Sequence, residues 1–424
     1  MRMKRYFFVL TALLWLLPFA MAAQDLSYRQ IAGKVVDASN GKPLHYASVG
    51  LAGTDVSNVT NSEGFFTLKI DPATPEYTLV TITFIGYSAQ ALKLSDFRQA
   101  TPEKPLRISL IPTTLTLDPA IISAHDPEEL LKAALQLTGV NYPTENVGMT
   151  AFYREMVKKG NAKYLMMNEA ILDIDKAPYE SIRSDKVGIY KGRGSTNYDA
   201  TDTLLIKYQG GAVSVLQIDQ VKNPFALADA DHLGDFYDFA MDPVSFLGTR
   251  TFYVVRFNQK SYIEEILMRG RVFIDSETLA IGRVEMQMNV EGHPEAYRLF
   301  VVKRPQDTKF EVESASYVVN YKPSGDKWYY DYALMEVKFK TRRRHALFTT
   351  HYTVLSEIAV TDHRPGPLKI DQDARIRFRD QMNVKVSAFT DPNYWENYNV
   401  IEPDADIEAI IRKIVRQLKR HNME

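Results

Sequence analysis

The chain has 424 residues, 45% of them hydrophobic and 24% charged, which is ordinary globular usage over a length that calls for two or three folded units rather than one core. It contains no cysteine, which excludes disulfides, a thiolate nucleophile, a Cys-ligated zinc and a lipid-anchored N-terminal Cys, while 24 Tyr and 21 Phe favour strands. Lys and Arg number 51 against 52 Asp and Glu, a balance that argues against nucleic acid as a partner.

Residues 1–22 read as a cleaved secretory signal. Arg2, Lys4 and Arg5 precede an apolar run over 6–19, and Ala20-Met21-Ala22 supplies the small residues that a signal peptidase needs. The run is shorter than the ~20 residues of a spanning helix and Pro18 interrupts it, so an uncleaved anchor is the weaker reading. Removing the three cations leaves 48 basic against 52 acidic residues. The expected address is exported, periplasmic or peripheral to the outer membrane.

Short strands and tight turns follow over 33–68. Val35 and Val36 run into Asp37-Ala38-Ser39-Asn40-Gly41, where Asn-Gly suggests a primed hairpin turn. Ala47, Val49 and Leu51 alternate with Ser48 and Gly50, and Asn61-Ser62-Glu63-Gly64 is a second turn before Phe65-Phe66-Thr67-Leu68. The pattern G-x-V-x-D, G-x-P-L-x-x-A-x-V, G-T and T-x-x-x-G-x-F-x-L resembles the carboxypeptidase-regulatory-like module. That resemblance implies a transthyretin-like (prealbumin-like) β-sandwich over 24–112 with no catalytic residues of its own. Further strands at 77–84 and 106–110, with Phe84-Ile85-Gly86-Tyr87 between them, agree with the module's later strands.

Residues 113–140 read as a linker with a helix. Asp126 is the expected N-cap, Pro127 suits the first helical position, Glu129 has capping-box spacing, and Leu130, Leu131, Ala134 and Leu135 form an apolar stripe before Gly139. The stripe is too short to be stable alone, so the helix should dock on the second domain.

Residues 141–362 read as a β-rich domain. Strands are expected at 151–155 and 164–175, then at 251–257, 270–274, 281–288, 298–303, 310–321, 328–340 and 347–358, with turns at Asp275-Ser276-Glu277-Thr278 and Pro323-Ser324-Gly325-Asp326. One broad antiparallel sheet of this kind must cover its apolar face with a helix or two. Asn141-Tyr142-Pro143, Phe152-Tyr153-Arg154-Glu155 and 235–239 together resemble an uncharacterised domain that follows the module in Gram-negative envelope proteins. The strand pair around 272–275 and 281–285 is similar to strands of lipoprotein-carrier half-barrels, whereas the plug and long barrel of TonB-dependent receptors have no room here. The C-terminal extension, 363–424, holds an aromatic latch at 394–399 and an amphipathic helix from Asp404, with Ile407, Ile410, Ile411, Ile414, Val415 and Leu418 on one face. The expected fold class is mainly β: an N-terminal sandwich plus a large curved antiparallel sheet or half-barrel with a few helices.

Chemistry is sparse. His125-x-x-Glu128 has zinc-peptidase spacing, but so does His421-x-x-Glu424, and the first lies in a capping sequence where Glu128 complements the helix dipole. The acidic group Asp229, Asp231, Asp235, Asp238 and Asp242 with His232 is the best metal-like cluster, and hard oxygens there could hold calcium, yet it lacks an EF-hand register. Residues 235–239 read equally as a solvated helical turn with aromatics inward. Arg342-Arg343-Arg344-His345 reads as a guarded sheet edge rather than an anion site, because alternation aims Arg343 away from its neighbours. Trp328, Tyr329, Tyr330 and Tyr332 could form a sugar-stacking platform or stabilise exposed strands. The expectation is a non-enzymatic cell-envelope protein without cofactor, its sandwich binding an envelope protein partner or a lipid or glycan ligand. The alternatives are a lipid or lipoprotein carrier with a cavity in the second domain and, third, a metallocarboxypeptidase-related enzyme.

Overall fold

The structure is a computed structural model that describes residues 28–113, 126–160, 163–196, 211–224, 232–301, 306–344, 346–378, 380–388, 394–405, 407–409 and 411–412. The signal at 1–22, His125, Asp229, Asp231, His345 and residues 413–424 fall outside these.

The N-terminal unit contains seven strands in two sheets. Strands β1 (Arg29–Asp37), β4 (Phe65–Ile70) and β7 (Leu106–Leu110) form one sheet in the order β4-β1-β7. The other holds β2 (Ser48–Leu51), β3 (Ser57–Val59), β5 (Leu79–Thr83) and β6 (Gln90–Lys93) in the order β3-β2-β5-β6. Val35, Val49, Leu68, Val80, Ile82 and Leu110 fill the layer between them, as the alternation over 47–51 requires. The turn at Gly64 has to be glycine: its φ is +73°, and a Cβ there would lie 2.3 Å from the Val35 carbonyl oxygen. The Asn40-Gly41 turn differs from the primed hairpin expected. Only Gly41 is left-handed, because Asp37 organises the loop instead, accepting from Ser39 N (2.7 Å), Ser39 Oγ (2.6 Å) and Asn40 Nδ2 (3.0 Å). Tyr87 donates to the same carboxylate at 2.9 Å, so two separated pieces of the motif meet at one structural bond. Ser39 is the main reason the Asp37 pKa falls to about 2, with Tyr87 adding to it.

Beyond it, α1 (Pro127–Gln136) starts at Asp126, whose side chain accepts from Glu128 N and Glu129 N, while the Glu129 carboxylate turns outward to Lys132 instead of closing a capping box. A second turn, α2 (Thr138–Asn141), takes in Gly139, so that glycine does not end the helical segment. Leu130, Leu131, Ala134 and Leu135 are buried as the stripe predicts.

The large sheet has twelve strands and is not closed. Its antiparallel path begins with β11 (Tyr237–Leu247), β12 (Arg250–Gln259), β13 (Met268–Asp275), β14 (Ile281–Met288), β15 (Thr308–Ser324), β16 (Lys327–Arg343) and β17 (Thr350–Pro365). It continues through β8 (Val147–Lys159), β9 (Lys163–Lys176), β10 (Lys186–Thr196) and β18 (Arg375–Ile376), and β19 (Ser387–Ala388) pairs β10 in parallel. Strands expected at 281–288, 310–321 and 328–340 fall within β14, β15 and β16. Where a strand is expected at 298–303, Ala296–Leu299 is instead a 3-10 turn that drops Phe300 and Val301 into the core, and 302–303 lie outside the described residues. β16 is central over most of its length, but its pairing with β17 stops at Thr341 opposite Thr350, so Arg342 and Arg343 pair with β15 alone and the run lies at the open end of that strand.

Both faces of this sheet are used. Ala151, Tyr153 and Val157 of β8 point into the main core, which α1 and α3 (Gly211–Gln217) cover with Leu131, Leu135, Ala212, Val215 and Leu216. Phe152, Arg154 and Met156 of the same strand point the other way, toward the sandwich and the C-terminal extension, which is the alternation of a strand buried on both sides. Ile407, in the helical turn capped by Asp404 Oδ1 (2.9 Å to Ile407 N), packs on Met156, Tyr164 and Met167. No helix among the described residues is long and apolar enough to cross a membrane.

Candidate functional site

The face of the large sheet opposite the main core is joined to the sandwich by a ladder of charge. Register places Glu357, Arg154, Glu169 and Arg193 directly opposite one another on β17, β8, β9 and β10. Arg154 donates to Glu169 Oε1 through Nε (2.9 Å) and Nη2 (2.8 Å), Arg193 holds Oε2 through the same two atoms (2.9 and 2.8 Å), and the Arg154–Glu357 contact is longer at 3.4 Å. The row is buried because the latch closes over it: Ile401 O accepts from Arg154 at 2.7 Å and the Trp395 ring lies 4.8 Å from the Arg193 guanidinium. Burial alone would raise the Glu169 pKa, but Arg154 and Arg193 outweigh it and hold the carboxyl below its usual range. For Glu357 burial wins over its longer contact with Arg154 and the pKa is raised. From the sandwich, Tyr46 adopts φ 64° and stacks on Tyr332 at 4.6 Å, and Tyr332 donates to Glu357 at 2.9 Å. Asn58 Nδ2 donates to Val400 O at 2.8 Å, and Lys69 and Asn399 exchange two bonds of 2.7 and 3.1 Å. Sandwich, extension and sheet are thus one packed body at this face.

Beside that junction runs a groove of about 760 Å³. Its floor is the outer face of β2 and β5, where Ser48, Gly50, Thr81 and Thr83 are small because the alternating Val49 and Ile82 face the sandwich core. Two contacts hold its sides apart. At one, Asp55 accepts from Ser324 Oγ (2.9 Å) and lies 3.2 Å from His363 Nε2, and Lys322 Nζ donates to Ser57 Oγ (2.5 Å). At the other, Gly86 N donates to Phe246 O at 2.6 Å. The opposite wall carries Phe252, Arg283, Lys322 and Asp331. Volume, mixed lining and position between two units are those of small-ligand sites.

Asp331 is the polar centre of this wall. The hairpin β15–β16 shifts register where Asn320 pairs with Tyr332 and Tyr321 with Tyr330, leaving Asp331 as the extra residue of a bulge. The bulge turns Tyr330 into the main core and Tyr332 to the opposite face, although residues two apart ordinarily share a face. Asp331 is 4% exposed, its nearest cation is Lys322 Nζ at 3.5 Å, and burial raises its pKa against that weak contact. The site therefore offers a poorly solvated carboxyl that gains from any N–H donor brought into the groove.

A second buried cluster is closed on itself. Lys176 donates to Asp185 (2.8 Å) and Asp219 (2.7 Å), and Asp219 accepts from Tyr321 O–H (2.6 Å). Burial would lower the Lys176 pKa, but the two carboxylates outweigh it and raise it, so this amine stays charged and is no nucleophile at neutral pH.

The residues singled out from the sequence do not converge. Asp229, Asp231 and His125 lie outside the described residues. Asp235 and His232 are exposed and 3.2 Å apart, Asp242 pairs with Arg256 at 3.1 Å, and Asp238 is an exposed position of β11. No group of three metal-ligating side chains occurs among the described residues. Residues 235–239 are only partly helical: α4 (Leu233–Phe236) ends there and Tyr237 starts β11 with its ring buried. Glu128 pairs with Lys132 at 2.9 Å on its own helix. The aromatic platform does not exist, because Trp328, Tyr330 and Tyr332 are buried and the Tyr329 ring lies tilted against His363 at 4.1 Å. Sequence reasoning missed Asp331 altogether: Trp328-Tyr329-Tyr330-Asp331-Tyr332 reads as unbroken alternation, and nothing local announces the bulge.

Comparison with curated proteins gives no match. Among solved structures, a DUF1329 family protein from Desulfovibrio piger aligns over 57% of this chain and 93% of its own, with 13% identity and a TM-score of 0.24. A 9R-lipoxygenase from Cyanothece aligns over 41% and 43%, with 11% identity and a TM-score of 0.15. Scores this low transfer neither fold nor function. Residues 31–120 match the CarboxypepD_reg-like domain, a regulatory rather than catalytic kind of domain, and that match bears out the resemblance carried by G-x-V-x-D and its companion motifs.

Proposed function

We propose that this is a non-enzymatic component of the Gram-negative cell envelope in which sandwich and large sheet act as one binding unit. The ligand enters the groove between them: an amphipathic molecule with an apolar part against Phe84, Ile85 and Phe252 and an amine or amide N–H for Asp331. The observation that carries this reading is the bulge that directs an under-partnered buried carboxyl into a groove of ligand size. The secretory pattern of residues 1–22 and the regulatory kind of the matched domain support the address and the absence of catalysis. Carriage of an acyl chain on the main-core face of the sheet is the weaker reading, since α1 and α3 occupy that face and would have to be displaced.

The test is native mass spectrometry of mature protein purified gently from its own envelope, beside the variant Gly50→Trp. Gly50 has ordinary backbone angles, and a Cβ on it would meet only the Val56 carbonyl at 3.9 Å, so the indole fills the groove without strain. A bound species that the wild type retains and Gly50→Trp loses supports the reading. A species retained equally by both would move the site elsewhere.

A further inference from the structure

The loop between β16 and β17 lies at the end of the sheet farthest from the groove. With 17 residues each, β15 and β16 separate the Gly325 turn, at the groove, from this loop by roughly 55 Å. At its tip Leu347 is 92% and Phe348 83% exposed, two adjacent large apolar side chains in open solvent. Cations surround them. Arg342 and Arg343 end β16 and Arg344 follows them, Lys309 stands directly across from Arg342 on β15, and Lys158 and Lys159 end β8 beside Tyr352 and Thr353 of β17. The carboxylates near this end of the strands are Asp307, Glu311 and Glu313, the last taken up by His351 at 2.8 Å, and they are fewer than the cations. Two like charges directly opposite on neighbouring strands destabilise a sheet. Arg342 and Lys309 have that arrangement, both exposed and neither ion-paired among the described residues. The alternation that keeps three arginines from closing on one small anion does not matter for an extended anionic plane, which meets side chains leaving both faces of a strand end.

We propose that this end of the sheet docks on an anionic lipid membrane, Leu347 and Phe348 entering the acyl boundary and the surrounding Arg and Lys side chains meeting the phosphates. An apolar pair ringed by cations is the composition that interfacial anchors use. The groove then lies at the end of the β15–β16 hairpin remote from the bilayer. The proposal is independent of what the groove binds.

Sedimentation of the mature full chain with phospholipid vesicles tests it. Vesicles containing phosphatidylglycerol should bind at least about tenfold more tightly than phosphatidylcholine alone, with each interfacial cation worth roughly fivefold at low salt. Leu347→Ser with Phe348→Ser should lower binding about tenfold or more, whatever the salt. Arg342→Glu with Arg344→Glu should lower it at low salt and remove the salt dependence. All four sites are exposed, so folding, checked by circular dichroism, should be unaffected. Gly50→Trp should bind vesicles like wild type, so that failure of the groove reading and of this one are seen separately. Equal binding to neutral and anionic vesicles, or no response to either pair of substitutions, overturns the proposal. Sedimentation equilibrium that finds a dimer abolished by the two serines, with no vesicle binding, also overturns it and makes a second copy the occupant.

Discussion

Arg154 is the residue on which the junction of the three parts depends, and its removal has a calculable consequence. The row Glu357, Arg154, Glu169, Arg193 is neutral as a whole and each member is at most 7% exposed. In Arg154→Ala, Glu169 keeps Arg193, but Glu357 keeps only the Tyr332 hydroxyl at 2.9 Å, and a net negative charge stays buried. Leaving one partner of a buried ion pair uncompensated costs about 3–5 kcal/mol, and loss of the bond to Ile401 O adds about 1 kcal/mol. That is a large part of the ~5–15 kcal/mol available to a folded domain. Urea unfolding followed by tryptophan fluorescence should report it, since Trp395 stacks on Arg193 and packs edge-on to Phe152 at 5.7 Å. Restoring neutrality with Arg154→Met and Glu357→Gln should return most of the loss. The single variant should also gain stability as pH falls from 7 toward 5, because an unpaired buried carboxylate has its pKa raised and takes up a proton more readily than the unfolded chain. A loss below about 1 kcal/mol with no pH dependence would refute the argument and make the ladder a solvated array.

Three other outcomes rest on the same physics. Asp331→Asn should leave stability at pH 7 unchanged or raised, because the folded carboxyl has a raised pKa and its stabilising protonated form is lost as pH rises through that value; thermal melts from pH 4 to 8 should show wild type and variant converging at the acid end. Asp37, held near pKa 2 chiefly by Ser39, contributes stability above the unfolded value of ~3.9 that is lost as pH falls toward 2, so Asp37→Asn should flatten the acid limb of the sandwich's melting curve. His363 is buried and His45 half-buried, and loss of solvent lowers their pKa values, to about 3 for His45; the unfolded chain takes up protons below ~6.5 that the native junction resists, so stability should fall between pH 7 and 4 and His45→Phe should remove part of that fall in urea titrations.

The sequence by itself determined what depends on neighbours along the chain. Alternation over 47–51 and 281–288, the glycine at 64, the Asp126-Pro127 helix start and the stripe from Leu130 to Leu135 were legible because turn geometry, capping and amphipathic period act over a few residues. The regulatory-like motif was legible for the same reason, and Asp37 with Tyr87 shows what such motif residues do: they hold a turn. Tertiary structure decided the rest. Glu357 and Arg154 lie 203 positions apart in sequence, and only register across β17, β8, β9 and β10 sets four outward charges in one row. The tyrosines near 330 looked like an exposed platform until a bulge sent them to opposite buried faces and freed Asp331. The arginine run is open on one side only because β17 starts at Thr350, opposite Thr341, a difference in strand length that one strand cannot show. Local propensity selects the elements, but which polar groups meet, and which face water, is fixed by pairings whose cost in chain entropy is recovered only when the whole sheet has formed.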